Sequence, residues 1–373
     1  MPKREQITSY HALKGIGALG ILFSHMSYLG ASASPFWKSL YLYFMKRGAV
    51  FTTLFVLFSG FFLDYAWRDQ SFSSYVKGKL KRIYPLSFLV FLAALLVDLF
   101  LPGNGEVNQA AAGSGLWLFN IAANVFLFKA FVPIEATFYS FHGPSWYISV
   151  LFGLYLFAYP FVKGLHGTDP ASAGKWRRRL LLVCVLAYAG ELLICLLTRL
   201  KGWDSLWLCY INPFFRIFGE GFAGIALCES MSRRQWKLAR PALAEWLAAA
   251  LLLAAILFRN TGLAISSAWI QLLPMGFAML VFRNGAGPIS ALLNSKAMQF
   301  LGDISFELYM THAFVYEGLP VAVGILSRRL RSLLIAHAPI RFAITLVLCL
   351  VFAWLVHRFM NWLNRTLIYR KRG

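Results

Sequence analysis

The first long apolar run, HALKGIGALGILFSHMSYL, contains the ionisable side chains of Lys14 and His25 in its interior. Lys14 stands one turn into this run, and His25 stands well past its middle. Successive helical residues are rotated by about 100°, so this spacing places both side chains on one face, roughly 16 Å apart. A neutral imidazole can take a proton from a hydroxyl near pH 7. We therefore interpret His25 as a general base; a histidine hydrogen-bonded between helices is the alternative.

A second group of candidate residues combines an aromatic run with a basic segment. The run FVLFSGFFL carries Ser59, and the segment YVKGKLKRIYP carries Lys79, Lys81 and Arg82. Such cations could bind phosphate groups through charge-assisted hydrogen bonds. Positive charge kept on the cytoplasmic side of the membrane explains the lysines equally well. Arg82 stands at the start of an apolar run, and for this residue a binding role and a topological role both remain open.

A third group lies in LGDISFELYMTH, where Ser305, Tyr309 and His312 follow an i, i+4, i+7 spacing on one helical face. A hydroxyl, a phenol and an imidazole in one stripe could line an acceptor pocket or hold a helix interface, and the sequence leaves both open. Arg216 and Glu220 form an i, i+4 pair inside another apolar run, which is most simply a mutually compensating ion pair.

Two other patterns indicate packing. Gly15, Gly17 and Gly20 spell G-x-G-x-x-G, but the dinucleotide fingerprint needs a preceding strand and a following acidic residue, and this copy lies inside an apolar run. Small residues that let helices approach closely are the better interpretation. The five cysteines are scattered through apolar runs without metal-ligand spacing, so we expect packing residues and no metal site.

The composition is that of a membrane protein. Of 373 residues, 59% are hydrophobic and 14% are charged, whereas a soluble domain carries about 25% charged residues. Apolar runs of near spanning length recur along the chain. These observations predict an all-α, polytopic helical bundle that forms one membrane-embedded domain, 1–373.

The ionisable residues inside the first run favour a retained span over a cleaved signal peptide. Ten spans can be drawn, with both termini in the cytoplasm: 11–29, 50–67, 84–101, 145–162, 180–198, 208–228, 242–258, 263–282, 303–325 and 341–363. The run 116–134 is apolar but contains Asn120, Asn124 and Lys129, so we expect a re-entrant or interfacial helix on the outer side. Arg341 and three nearby arginines fall outside, against the charge rule.

The formal net charge of +21 arises mainly between the apolar runs, as the positive-inside rule expects. No basic domain stands apart from the spans, so nucleic acid is not an expected partner. Membrane lipids are expected partners, and the charge could also attract anionic lipid or an anionic cofactor such as coenzyme A.

Taken in order, these motifs resemble acyltransferase family 3, the membrane acyltransferases that acylate cell-surface sugars. LKGIGALGILFSH is similar to the family's basic residue and histidine separated by ten, FVLFSGFFL to its F-F-x-x-S-G-F signature, and LKRIYP to its R-x-x-P segment. GPSWYISVLFGLY, NPFFRIFGEGFAG and LGDISFELYMTH are similar to three later motifs. The chain departs from the family at Lys14, where many members have Arg, at His11, where Asp is frequent, and at Leu151, where one branch has Glu.

The resemblance implies an O-acyltransferase in a bacterial cytoplasmic membrane. It would move an acyl group, usually acetyl, from cytoplasmic acyl-CoA to a hydroxyl of an extracytoplasmic sugar, polysaccharide or lipid-linked glycan. His25 would be the general base or an acyl relay, and Tyr309 and His312 would position or polarise the reactants. The residues that would hold the donor are Lys14, Ser59, Lys79, Lys81 and Arg82.

Two other classes of function remain open from the sequence. A transporter or flippase would use His25, Arg216 and Glu220 as a proton or substrate path. The motifs and the lack of a visible internal repeat argue against it. A binding or sensor protein derived from the enzyme fold is the third possibility, because Lys14 and Leu151 depart from the family pattern.

Overall fold

Helices account for the regular structure of the chain. The computed structural model describes residues 6–100, 111–201, 213–233, 238–257 and 267–368, and no strand occurs among them. In lipid, every backbone N–H and C=O must find a partner inside the protein, which an α-helix provides within one segment. The prediction of an all-α protein is confirmed.

The described residues form sixteen α-helices, numbered in chain order, and several shorter turns. The α-helices are α1 Thr8–His25, α2 Pro35–Tyr43, α3 Phe51–Tyr65, α4 Phe72–Phe100, α5 Gly115–Val125, α6 Glu135–Phe138, α7 Trp146–Leu165, α8 Pro170–Lys201, α9 Phe222–Arg233, α10 Pro241–Leu257, α11 Ser267–Asn284, α12 Pro288–Leu293, α13 Lys296–Asp303, α14 Ser305–Leu326, α15 Arg328–Ala336 and α16 Ala338–Leu363. The 3₁₀ turns include Ser27–Ala31 and Lys129–Phe131, and a π-helical turn covers Arg216–Gly221.

Four helical stretches of the described residues are long and apolar enough to cross a bilayer. They are Pro35–Tyr65, Phe72–Phe100, Gly143–Leu165 and Ala338–Thr366, and they overlap the predicted spans 50–67, 84–101, 145–162 and 341–363. Predicted spans 208–228 and 263–282 begin outside the described residues, and 242–258 ends outside them. The count of ten spans and the cytoplasmic position of both termini stay predictions.

The first apolar run is not one continuous helix. α1 ends at His25, and a 3₁₀ turn, Ser27–Ala31, follows. The carbonyl of Ser24 accepts a hydrogen bond from the Tyr41 hydroxyl at 3.1 Å, and the Ser24 hydroxyl donates to the Ile21 carbonyl at 2.7 Å. The bond from Tyr41 satisfies one of the last four carbonyls of α1, which have no partner within the helix. His25 therefore lies in the last turn of α1, whereas the sequence placed it inside a longer helix.

The apolar run 116–134 forms a short helix and a turn. α5 has 11 residues, about 16 Å of axis, which is roughly half of a hydrocarbon core. Leu127, at φ 57°, lies in the left-handed region, and a 3₁₀ turn follows at Lys129–Phe131. The helix is too short to span a bilayer, as the sequence predicted, and its re-entrant or interfacial position stays a prediction.

The chain divides into two compact units. The first unit comprises Met1–Thr52, Leu238–Asn260 and Phe277–Gly373, and the second comprises Thr53–Lys237 and Thr261–Gly276. The first unit contains Lys14, His25, Tyr309 and His312. The second contains Ser59, Lys79, Lys81 and Arg82. A single domain over 1–373 stays a prediction.

Close helix packing in the first unit depends on glycines of α1. A Cβ atom at Gly15 would lie 2.6 Å from the backbone carbonyl carbon of Leu301 in α13, and one at Gly20 would overlap the ring of Phe51. No side chain larger than hydrogen fits without a shift of the neighbouring helix. The packing interpretation of Gly15 and Gly20 is confirmed.

A buried carboxylate joins two other helices of the first unit. Glu245 in α10 accepts hydrogen bonds from the backbone N–H groups of Gly287 and Ile289, each at 2.8 Å, and of Ser290 at 3.1 Å. The Ser290 hydroxyl donates to the same carboxylate at 2.5 Å. These donors offset the cost of removing the carboxylate from water. Glu245 thus fixes the start of α12 against α10.

The buried side chain of Lys129 holds a loop of the second unit in place. Lys129 is not part of any of the four candidate spans. Its Nζ donates to the carbonyl of Ser140 at 3.0 Å and to that of His142 at 2.7 Å. Complete burial lowers the pKa of the Lys129 ammonium to about 7. A neutral amine has two N–H donors, and two carbonyls receive them.

We expect Gly15→Ala to destabilise the protein by about 1–3 kcal/mol, because its methyl group would overlap the backbone of α13. Gly78→Ala in α4 is the control: nothing lies within 4 Å of a Cβ there, so the substitution should be neutral or stabilise by about 0.5–1 kcal/mol. Thermal unfolding in detergent measures both. Equal effects of the two substitutions would contradict the close-packing interpretation.

Lys129→Met should flatten the pH dependence of stability above pH 7. Because the folded pKa lies below the ordinary 10.5, the unfolded chain binds a proton that the folded chain does not, and stability rises with pH between the two values. The largest slope expected from this group is about 1.4 kcal/mol per pH unit. Unfolding between pH 7.5 and 9 measures it, and Lys175→Met, on an exposed side chain, is the control. An unchanged slope in Lys129→Met would show that Lys129 is charged when folded.

Candidate active site

Two histidines from distant parts of the chain lie side by side in the first unit. The ring of His25, in the last turn of α1, lies 4.9 Å from the ring of His312 in α14, measured between centroids. The ring of Tyr316, one turn further along α14, lies 6.1 Å from that of His25. His312 is fully buried and His25 is partly exposed. The two predicted catalytic histidines are therefore brought together.

The hydrogen bond of His312 defines its tautomer. Its Nδ1 lies 2.7 Å from the backbone carbonyl oxygen of Tyr309. A carbonyl only accepts, so Nδ1 carries the proton and Nε2 keeps its lone pair. Nε2 is buried and has no hydrogen-bond partner among the described residues. His312 thus presents a basic nitrogen that the protein itself does not use.

The stripe of Ser305, Tyr309 and His312 divides into different roles. The Ser305 hydroxyl donates to the Gly302 carbonyl at 2.8 Å, so it holds the turn at which α14 begins. The backbone carbonyl of Tyr309 orients His312, and the two rings are 6.0 Å apart. Ser305 therefore acts in local structure, whereas a role for the Tyr309 phenol in polarising a reactant stays a prediction.

Sequence reasoning missed a second histidine system on α14 and α16. Asn361 Nδ2 lies 2.8 Å from His357 Nε2. Because an amide nitrogen can only donate, Nε2 accepts and His357 Nδ1 carries the proton, which faces Glu307 Oε1 at 3.1 Å.

A further histidine pairs with a carboxylate at the other end of α1, where His11 Nε2 lies 2.8 Å from Asp303 Oδ1. The signal available in the sequence was a carboxylate and a histidine inside apolar runs.

Arg341, one of the four arginines that conflict with the charge rule, packs on an aromatic ring. Its guanidinium carbon lies 3.9 Å from the ring centroid of Tyr28, three residues after His25. The phenol of Tyr316, which neighbours His25, lies close enough to Arg341 to interact with its charge. A cation–π contact of this kind gives Arg341 a local reason to be where it is.

The predicted donor residues of the second unit are only partly grouped. Lys79 Nζ lies 5.2 Å from the ring centroids of both Tyr75 and Tyr155, and the charge of Arg82, one turn further on α4, acts on Lys79 and Tyr155. Lys81 is exposed on the same helix. Lys79 and Arg82 therefore form a basic pair beside tyrosines.

The surroundings of Ser59 and Lys14 do not indicate a binding role. The Ser59 hydroxyl donates to the Phe55 carbonyl at 2.7 Å and lies 3.2 Å from the Tyr147 hydroxyl, which is the pattern of a packing residue in α3. Lys14 is partly exposed on α1, in the first unit. A shared donor site of Lys14, Ser59, Lys79, Lys81 and Arg82 stays a prediction.

The other polar pair found in the sequence is an ion pair. Arg216 Nη1 lies 3.0 Å from Glu220 Oε2, and the prediction of a compensating pair is confirmed. Cys184 and Cys349 are buried thiols, in agreement with packing roles. Among the described residues, no group of three or more His, Cys, Asp or Glu side chains could hold a metal ion.

Comparison with known proteins agrees with the family resemblance. The family model of acyltransferase family 3, described as an acyltransferase domain, matches residues 7–358. A stretch of 156 residues is 24% identical to "Acyltransferase MdmB" of Streptomyces mycarofaciens, and it covers 42% of this chain and 39% of that relative. No solved structure matches the chain.

Replacement of His312 separates a pocket role from an interface role. Because Nε2 has no partner, His312→Leu loses one hydrogen bond, and we expect a cost of about 1 kcal/mol or less. His357→Leu is the comparison, since both of its ring nitrogens are bonded and it would leave Glu307 without its partner; a cost of about 1–3 kcal/mol is expected. Thermal unfolding in detergent measures the two. A larger loss in His312→Leu would indicate that His312 holds the helix interface.

Proposed function

Because the chain belongs to acyltransferase family 3, we propose that it moves an acyl group from cytoplasmic acyl-CoA to a hydroxyl of an extracytoplasmic sugar or lipid-linked glycan. The family and the apolar helices make it a membrane acyltransferase. Acetyl is the acyl group we propose, and the cytoplasmic membrane of a bacterium is the proposed location. The relative from Streptomyces, itself named an acyltransferase, supports transfer of an acyl group.

The observation that supports this function best is the pair of imidazoles at the end of α1. Their centroids are 4.9 Å apart, and two imidazolium charges at that distance would repel each other. At most one ring is therefore charged, and the other remains available as a base. The unprotonated Nε2 of His312 supplies a basic nitrogen on the buried side of the pair.

In the proposed reaction, His25 removes the proton of the acceptor hydroxyl as its oxygen attacks the thioester carbonyl carbon. The new C–O bond forms, the C–S bond breaks, and coenzyme A leaves as a thiolate. The proton on His25 then passes to the thiolate, which restores both the imidazole and electrical neutrality. His312 positions His25 or polarises the reactant beside it, and Tyr309 holds His312 in the required tautomer. A relay through an acyl-histidine at His25 is the alternative route.

The donor would be held by charge. Coenzyme A carries phosphate groups, and the paired cations Lys79 and Arg82, with tyrosines beside them, offer charge-assisted donors and a ring surface. Lys81, on the same helix, adds a third cation to the proposed donor contacts of the second unit. Family membership does not favour the alternative of a transporter that uses His25, Arg216 and Glu220 as a path.

The test is acetyl-CoA consumption by purified protein in nanodiscs, with a panel of glycans, for wild type and His25→Ala. We expect coenzyme A release that requires an acceptor and falls about 10²–10⁴-fold in His25→Ala, the range for loss of a general base. His337→Ala, an exposed histidine of the same unit, is the control and should retain activity.

Other outcomes are equally informative. Turnover that persists in His25→Ala would move the base elsewhere, and His312 would be next. Wild-type protein that neither turns over nor binds acyl-CoA would contradict the transferase and leave transport of the glycan as the better hypothesis.

A further inference from the structure

A buried polar cluster in the second unit has no part in the chemistry proposed for His25. It contains Thr53 from α3, Arg216 and Glu220 from the π-helical turn, and Gln271 from α11. Thr53 and Glu220 are each 2% exposed, and Gln271 is 3% exposed. So many polar groups in an apolar helical protein are costly unless they bond with one another or serve a ligand.

The polar groups of the cluster contact one another. Glu220 Oε2 accepts from Arg216 Nη1 at 3.0 Å. The Thr53 hydroxyl has a single proton, which it shares between Glu220 Oε1 at 2.9 Å and the side-chain oxygen of Gln271 at 3.2 Å. One carboxylate and one hydroxyl thus connect Arg216 to Gln271.

Two donors of the cluster are not occupied. Arg216 Nε and Gln271 Nε2 are buried and have no acceptor among the described residues. A buried donor without an acceptor costs free energy, and such groups are rare in native proteins. Both orphan groups are donors, so the cluster is short of acceptor oxygens, which a ligand could bring.

The backbone that carries Arg216 and Glu220 departs from regular α-helical geometry. The turn Arg216–Gly221 is π-helical, a form that occurs mostly as single turns and frequently at functional sites. α3 approaches it so closely that a Cβ at Gly60 would overlap the carbonyl oxygen of Gly221. The turn places Arg216 and Glu220 on one side with their charges paired.

The charge of the cluster indicates the class of ligand. Arg216 and Glu220 compensate each other, so the cluster has no net charge to balance an anion, and a buried phosphate beside Glu220 would be unfavourable. A neutral molecule rich in hydroxyl oxygens fits. The Arg216 side chain as a whole is 15% exposed, although its Nε is buried. Its guanidinium lies 5.5 Å from the ring centroid of Trp146, which restricts its orientation.

We propose that Arg216 and Gln271 bind a sugar ring of the glycan acceptor, by donating hydrogen bonds to its hydroxyl oxygens. This inference rests on the proposed function, because that function makes a glycan the acceptor. It assigns to the second unit a binding site for the same substrate. Glu220 and Thr53 are positioning residues: the carboxylate holds Arg216, and the hydroxyl holds Gln271.

Gln271→Leu is the first variant, because a structural role and a ligand role predict different results. Its Nε2 bonds to nothing in the described protein, and Leu removes only the 3.2 Å contact of its oxygen with the Thr53 hydroxyl, which keeps Glu220 as an acceptor. The melting temperature should therefore fall only slightly. If Gln271 binds the sugar, the KM for the glycan should rise about tenfold, while the KM for acetyl-CoA stays unchanged. Gln299→Leu is the matched control: that amide already donates to the carbonyls of Thr8 and Leu293, so its loss should leave the glycan KM unchanged.

Binding is also measured without catalysis, as the shift in melting temperature of wild type and Gln271→Leu with glucose, galactose, rhamnose or N-acetylglucosamine. Sugars stabilise proteins non-specifically as osmolytes, and the variant reports that part of the shift. A saturable shift in wild type that is lost in the variant would support the site. The paired variant Arg216→Met with Glu220→Leu, which leaves no unpaired charge, should lose the same shift.

The outcomes separate this inference from the proposed function. Wild type that binds sugars through Gln271 but releases no coenzyme A would contradict the transferase and support the site. Wild type that transfers acetyl groups, with an unchanged glycan KM in Gln271→Leu and in the paired variant, would overturn the site. A shift caused by inorganic phosphate in place of sugars would overturn it too, because the ligand would then be an anion.

Discussion

A polar group enclosed among apolar helices must find its partner within the protein, and this constraint governs most of the structure. Glu245 satisfies it with the first N–H groups of α12, and Lys129 satisfies it with the carbonyls of Ser140 and His142. In each case one buried side chain fixes a segment of backbone that has no regular partner of its own. His312 Nε2 and Gln271 Nε2 are among the buried polar atoms of the described residues that do not meet this requirement, and they belong to the proposed reaction and binding sites.

The parts of this arrangement that the sequence predicted are those written in local spacing. Apolar runs predicted helices, and the i, i+4 spacing predicted the pair of Arg216 and Glu220. The sequence likewise predicted a close helix approach at Gly15, because a glycine permits such an approach whichever helix packs against it; the partner is α13.

Other parts depend on contacts between distant positions, and local spacing carries no information about them. Thr53 and Gln271 are 218 positions apart, and Glu307 meets His357 across 50. The end of α1 was misplaced for a related reason: the apolar pattern continues to Leu29, and the hydroxyl of Tyr41 that satisfies the carbonyl of Ser24 comes from α2. Ser305 was grouped with Tyr309 and His312 by its spacing, although its hydroxyl is used by the turn before α14.

The position of His25 at the end of α1 also bears on how this protein could diversify. A histidine in mid-helix is surrounded by residues that pack its own helix, so a change in the shape around it disturbs the bundle. At a helix end the neighbouring residues belong to a separate turn, here Ser27–Ala31, which can change in sequence and length while α1 keeps its packing through Gly15 and Gly20. His25 and the residues of this turn can therefore change independently, and the surroundings of the proposed base can vary without a change in the packing of α1.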